Sequence, residues 1–123
     1  MLGYRLEPRN GVVILTPRGR LDASDFASLA LTVDPWIEDH GKLRGILIDA
    51  KSLPRWDDVD AMLAHLRFVR SHHRAVDRVA IVTDLPLLEG LPAIARLFTG
   101  ADVRRFAQRK RRAALAWLAR GSH

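Results

Sequence analysis

The chain has 123 residues, enough for one domain, and with 48% hydrophobic residues it can bury roughly two thirds of its unfolded surface around a single core. It has no cysteine, which excludes thiol catalysis, cysteine-based zinc sites and a disulfide framework and makes a reducing compartment the expected one. The net charge of +6 is C-terminal: residues 1–100 carry 13 basic and 13 acidic side chains, residues 101–123 seven basic and one acidic, so charge alone points only weakly to an anionic partner.

No stretch approaches the roughly 18 apolar residues of a membrane span, and MLGYRLEPRN has neither an apolar signal core nor a cleavage-like site. The expectation is a soluble cytoplasmic protein. One domain is expected over residues 1–120, with Gly121-Ser122-His123 read as an expression remnant.

The chain opens with two extended runs, Tyr4 to Glu7 and Val12 to Pro17, separated by Pro8-Arg9-Asn10-Gly11; Asn-Gly between β-prone runs predicts a hairpin. Asp22 reads as an N-cap, followed by Phe26, Leu29, Ala30, Val33 and Ile37 at the spacing of one helix face. Pro35 leaves two readings: the helix ends near Val33, or Asp34 caps a second turn with Pro35 at its first position.

RGILIDA, Arg44 to Ala50, is a continuous apolar run suited to a strand covered on both faces. A Pro-containing loop, Lys51 to Arg55, leads to Trp56 to His73, where Val59, Met62, Leu63, Leu66 and Val69 recur at helical spacing and Asp57, Asp58 and Asp60 suit the helix dipole. RVAIVTD, Arg78 to Asp84, repeats the buried-strand pattern, so the three elements predict a right-handed βαβ crossover with parallel strands.

Leu85 to Gly100 is almost wholly apolar but broken by Pro86, Gly90 and Pro92, and reads as a short, poorly anchored helix. Ala101 to Phe106 is then an edge strand, and Arg109 to Leu118 a terminal helix with Ala113, Ala114, Trp117 and Leu118 inward. The fold class expected is α/β: a mixed, partly parallel sheet with covering helices and an N-terminal β-hairpin.

With this element order, a set of residues carries a resemblance: Gly19-Arg20-Leu21, Leu47-Ile48-Asp49, Trp56, Ala64-His65-Leu66-Arg67-Phe68, His72-His73, Arg78-Val79-Ala80-Ile81-Val82, Phe98-Thr99, Val103-Arg104-Arg105-Phe106 and Ala116-Trp117-Leu118. Over nearly its whole length the chain resembles the SpoIIAA-like family, whose fold is shared with STAS domains and related to the CRAL-TRIO lipid-binding fold. The resemblance implies a fold and a binding module with a membrane or small-ligand role, not a reaction. In anti-sigma-factor antagonists of the STAS class, an Asp-Ser pair with a phosphorylated Ser follows the strand-end Asp by about eight residues. Here Asp49 is followed at that distance by Asp57-Asp58, so a carboxylate stands in place of the phosphoacceptor.

Asp57, Asp58 and Asp60 read better as helix-start residues than as a cation site, because successive carboxylates point different ways round a helix. His65 and His72 share a helix face, but no zinc spacing exists, and there is no G-x-S-x-G, P-loop or G-x-G-x-x-G. No catalytic residue, metal or cofactor is assigned, and the chain reads as non-enzymatic.

Open parallel sheets bind ligands beyond the carboxyl ends of their strands, here Asp49 to Trp56 and Thr83 to Leu88, two loops expected to be neighbours. The candidate ligand-binding residues are Trp56, His65, Phe68, Leu88 and Phe98, with Leu91 and Ile94 as further wall, a lining for a small apolar or amphipathic ligand. The broken segment 85–98 is a candidate lid, membrane-contacting element or homodimer interface, and composition equally suits a helix packed on the sheet.

On the terminal helix Arg109, Arg112 and Arg120 lie near one face with Trp117 on another, the layout of a helix resting on an anionic membrane surface. A single basic stripe without interleaved aromatics disfavours nucleic acid. The leading expectation is therefore a ligand-binding module, peripheral to the inner face of the membrane; the alternative is a STAS-type regulatory module docking a protein through Asp57 and Asp58.

Overall fold

A computed structural model of the chain describes residues 1–18, 23–51, 76–84 and 101–120. Strands β1 (Leu2–Glu7), β2 (Val12–Pro17), β3 (Leu43–Asp49), β4 (Val76–Val82) and β5 (Asp102–Phe106) form one sheet in the order of the chain. β1 runs antiparallel to β2, from Leu2 opposite Pro17 to Glu7 opposite Val12, and β2, β3, β4 and β5 are mutually parallel. This is the mixed sheet with an N-terminal hairpin that the sequence predicts.

The hairpin turn depends on Gly11, whose φ of 64° lies in the left-handed region and whose N–H donates to the Glu7 carbonyl at 2.9 Å. The Gly11 carbonyl accepts the Arg44 N–H at 2.8 Å, which ties the turn to the start of β3.

Helix α1 (Ala23–His40) covers one face of the sheet. Phe26, Leu29, Val33 and Ile37 are its buried stripe, packed with Val13, Leu15, Ile46, Ile48, Val79 and Ile81, whose alternation along three strands puts them all on that face. Pro35 does not stop this helix, contrary to both readings of the sequence. Its missing N–H leaves the Leu31 carbonyl without a helical partner, but both residues are exposed, Leu31 by 80%, so water is at hand to replace the bond.

The opposite face is covered by α2 (Arg111–Arg120), entered through a single 3₁₀ turn, Gln108–Lys110. Ala114, Trp117 and Leu118 pack on Val12, Ile14, Leu47, Ala80 and Val82. Ala113, expected inward, is exposed; it sits about 100° round the helix from Ala114, just beyond the arc that meets the sheet.

β3 carries core residues on both faces, Ile46 and Ile48 toward α1 and Leu47 toward α2, as its continuous apolar run requires. The parallel pairing of β3 with β4 is the one a crossover demands. The Asp22 cap, the helix expected over 56–73 and the broken apolar segment 85–100 lie outside the described residues.

Candidate functional site

The parallel strands β3, β4 and β5 end side by side, and their ends are joined by side chains as well as backbone. Beyond β3, the Ala50 N–H donates to the Val82 carbonyl at 3.0 Å; beyond β4, the Thr83 N–H donates to the Phe106 carbonyl at 2.9 Å. The chain thus leaves β3 and β4 at adjacent points, as expected of the loops beginning at Asp49 and Thr83.

Asp49 is the hub of this end. Its Oδ1 accepts the Lys51 N–H at 3.2 Å and the Gln108 Nε2–H at 3.4 Å, and its Oδ2 pairs with Arg111 Nε at 3.3 Å. Gln108 Nε2 also donates to the Val82 carbonyl at 2.9 Å, and its backbone N–H donates to Asp84 Oδ1 at 3.0 Å. Asp84 therefore holds the start of the 3₁₀ turn, and Asp49 the start of α2. A carboxylate that already accepts three donors and is only 14% exposed suits the positioning of neighbouring elements better than proton abstraction.

Of this network the sequence singles out only Asp49, as the acid that ends a strand; its partners Gln108 and Arg111, and the bond to Asp84, are not anticipated. For the two acids a signal exists: RGILID and RVAIVTD both end in Asp at the carboxyl end of a strand. Gln108 and Arg111 carry no such mark, since their partners stand 59 and 62 residues away.

Trp56, His65, Phe68, Leu88 and Phe98, together with Asp57 and Asp58, lie outside the described residues. Arg109, Arg112 and Arg120 are all exposed. Arg109 stands in the 3₁₀ turn at the Asp49 end of the sheet, and Arg120 closes α2, a helix of ten residues or about 15 Å.

Trp117 offers no exposed aromatic beside these arginines. It is 5% exposed, its ring lies 5.6 Å from Phe106, and the guanidinium carbons of Arg78 and Arg104 each lie 4.9 Å from its centroid. The apolar side of α2 is spent on the sheet. Among the described residues no helix is long and apolar enough to cross a membrane, and no group of His, Asp or Glu is placed to hold a metal ion.

A family model bears directly on this architecture, because it spans the hairpin's second strand, the parallel strands and α2. The SpoIIAA-like model matches residues 12–119. This chain belongs to the SpoIIAA-like family. Neither the curated proteins nor the solved structures include a match to it. As a SpoIIAA-like domain, the chain places its strand ends, Asp49 and Asp84 within the matched region, together with the two connections that leave from them.

Proposed function

We propose that this SpoIIAA-like domain is a non-catalytic binding module that takes a small apolar or amphipathic ligand beyond the carboxyl ends of its parallel strands. Domains of this family are generally binding or regulatory modules. The observation that carries the reading is the adjacent exit of two connections, tied by the bond from Ala50 to Val82. In sequence, one connection carries Trp56, His65 and Phe68 and the other Leu88 and Phe98, so two segments that can supply apolar side chains leave from one place.

Native mass spectrometry beside the denatured mass tests it. A mass excess that disappears on denaturation, and is lost in Phe68→Asp or Phe98→Asp protein that still folds, supports the module. Purified protein that stays bare and gains no mass with fatty acids or aromatic carboxylates overturns it. The same spectrum reports whether the chain is a homodimer.

The second half of the proposal is a peripheral seat on the inner face of an anionic membrane through Arg109, Arg112 and Arg120. All three are exposed, and with Trp117 in the core the attraction is one of charge, about 1 kcal/mol per basic residue near the surface and weakened by salt. Flotation with phosphatidylglycerol vesicles at low salt, lost in the triple Gln variant, is the expected result; no flotation removes this half and leaves the ligand site standing.

The competing reading, a STAS-type docking module without a phosphorylatable Ser, draws on the anchored strand-end Asp49 with Asp57 and Asp58 following it. It predicts that Asp58→Ala abolishes capture of a protein partner without changing ligand mass.

A further inference from the structure

At the other end of the sheet, where the strands begin, five elements line a concavity of about 370 Å³. The β1–β2 turn contributes Arg9, the end of α1 Trp36 and His40, the start of β3 Lys42 and Arg44, and the end of α2 Arg120. Asp77 of β4 is the one acid in its lining among the described residues, so four cations face one carboxylate, a surplus of three positive charges before His40 is considered.

Two helices end here, and helix C-termini favour cations on their own account. That need is met by particular bonds. Arg44 Nη1 donates to the Ala119 carbonyl at 3.0 Å, His40 Nδ1 lies 3.0 Å from the Trp36 carbonyl, and the Gly41 N–H donates to the Ile37 carbonyl at 2.7 Å. Lys42 is committed to Asp77 at 3.0 Å. Arg9 stands on a turn instead of a helix end, so helix capping does not explain it, and Arg44, which also lines the cavity, forms no ion pair with an acid among the described residues.

The positions are held by backbone. The Gly11 carbonyl accepts from Arg44, and Gly41, with φ of 87°, turns the chain from α1 into β3. The Trp36 and His40 rings, stacked at 3.6 Å with 10° between their planes, form a flat wall. Guanidinium groups converging on a concavity suit the tetrahedral oxygens of a phosphate, which they bind through paired N–H donors.

We propose that this basin is a phosphate-binding site, in which Arg9 and Arg44 grip the phosphate and Arg120 completes its charge. It lies at the opposite end of the sheet from the proposed apolar ligand site and stands or falls independently of it. The phosphate is that of a small soluble molecule or of a lipid headgroup, and the same basin chemistry serves both.

The test is a titration of the full, uniformly ¹⁵N-labelled chain with pyrophosphate at constant ionic strength held by chloride. The Trp36 indole N–H is assigned by its disappearance in Trp36→Phe. Saturable shifts at the Trp36 indole and at the Gly11 and Arg44 amides are expected, with the Trp117 indole unmoved. Arg9→Gln, which removes no bond to another described residue, should weaken binding at least threefold without altering the spectrum elsewhere, and Arg9→Gln with Arg44→Gln at least tenfold. Phosphatidylglycerol vesicles that compete with pyrophosphate identify the headgroup as the source; pyrophosphate binding without such competition identifies a soluble phosphate. Absence of these shifts at millimolar pyrophosphate, or shifts that persist in the double variant, overturns the site.

Discussion

Gly45 of β3 lies directly beneath Leu118 of α2: a Cβ at position 45 would come within 2.5 Å of Leu118 Cδ2, 3.0 Å of its Cβ and 3.1 Å of its Cγ. The absence of a side chain here sets how closely the helix approaches the sheet. Moving one methyl would not relieve all three contacts, so Gly45→Ala should push α2 outward and destabilise the fold by about 1–3 kcal/mol, the usual range for overpacking. Urea unfolding measures it. Leu118→Ala alone should cost about 2–5 kcal/mol through loss of a fully buried side chain. Gly45→Ala should be nearly harmless in that background, because most of the atoms it meets are gone, and equal costs in both backgrounds would sink the close-approach argument.

The indole of Trp117 packs in the core and also receives two guanidinium groups, while Arg78 Nη1 donates to the Trp117 carbonyl at 2.8 Å. Arg104 approaches Trp117 over the ring face, so its effect is that of a cation over an aromatic. Arg104→Gln is expected to cost about 0.5–1 kcal/mol in the wild-type chain and close to nothing in Trp117→Leu. A double-mutant cycle by urea titration reads the difference.

The elements legible in the amino-acid sequence are those that follow from neighbours in the chain. Asn10-Gly11 specifies its turn through backbone conformation, and Phe26, Leu29, Val33 and Ile37 specify a helix face through period alone. What is not legible depends on partners brought together by the fold. Arg111 and Asp49 meet across 62 positions, and Arg9, Arg44 and Arg120 reach one basin from three elements. As a stripe on a helix, Arg120 belongs with Arg109 and Arg112; in the fold it lies beside the strand starts. Trp117 suggests a membrane anchor only while its burial is unknown, because an aromatic on an amphipathic helix looks the same against a sheet or a bilayer.

Asp49 links the end of β3 to the start of α2 through Arg111 and Gln108. Asp49→Ala leaves the Gln108 amide and the Arg111 guanidinium one acceptor short, and should cost about 1–2 kcal/mol near neutral pH, a moderate value because Arg111 is 41% exposed. Combining it with Arg111→Ala should cost less than the two separate changes together. Full additivity in urea denaturation would show that the pair contributes nothing as a pair.

Pro35 sits in the fourth turn of α1, where a proline removes one helical hydrogen bond and crowds the carbonyl four residues before it. The helix survives because its stability comes from the buried stripe of Phe26, Leu29, Val33 and Ile37 on the other side, not from propensity at position 35. Pro35→Ala restores an N–H facing the Leu31 carbonyl and places the best helix former at an exposed position. Against this stands the greater freedom of the unfolded chain once the ring is gone, a term of up to about 1 kcal/mol. The helix term, up to about 3 kcal/mol in an unconstrained helix, is the larger, so the variant should be more stable by roughly 1–2 kcal/mol. A higher urea midpoint at unchanged slope checks it; a lower midpoint would mean that the proline ring is itself needed to seat Trp36 and Ile37.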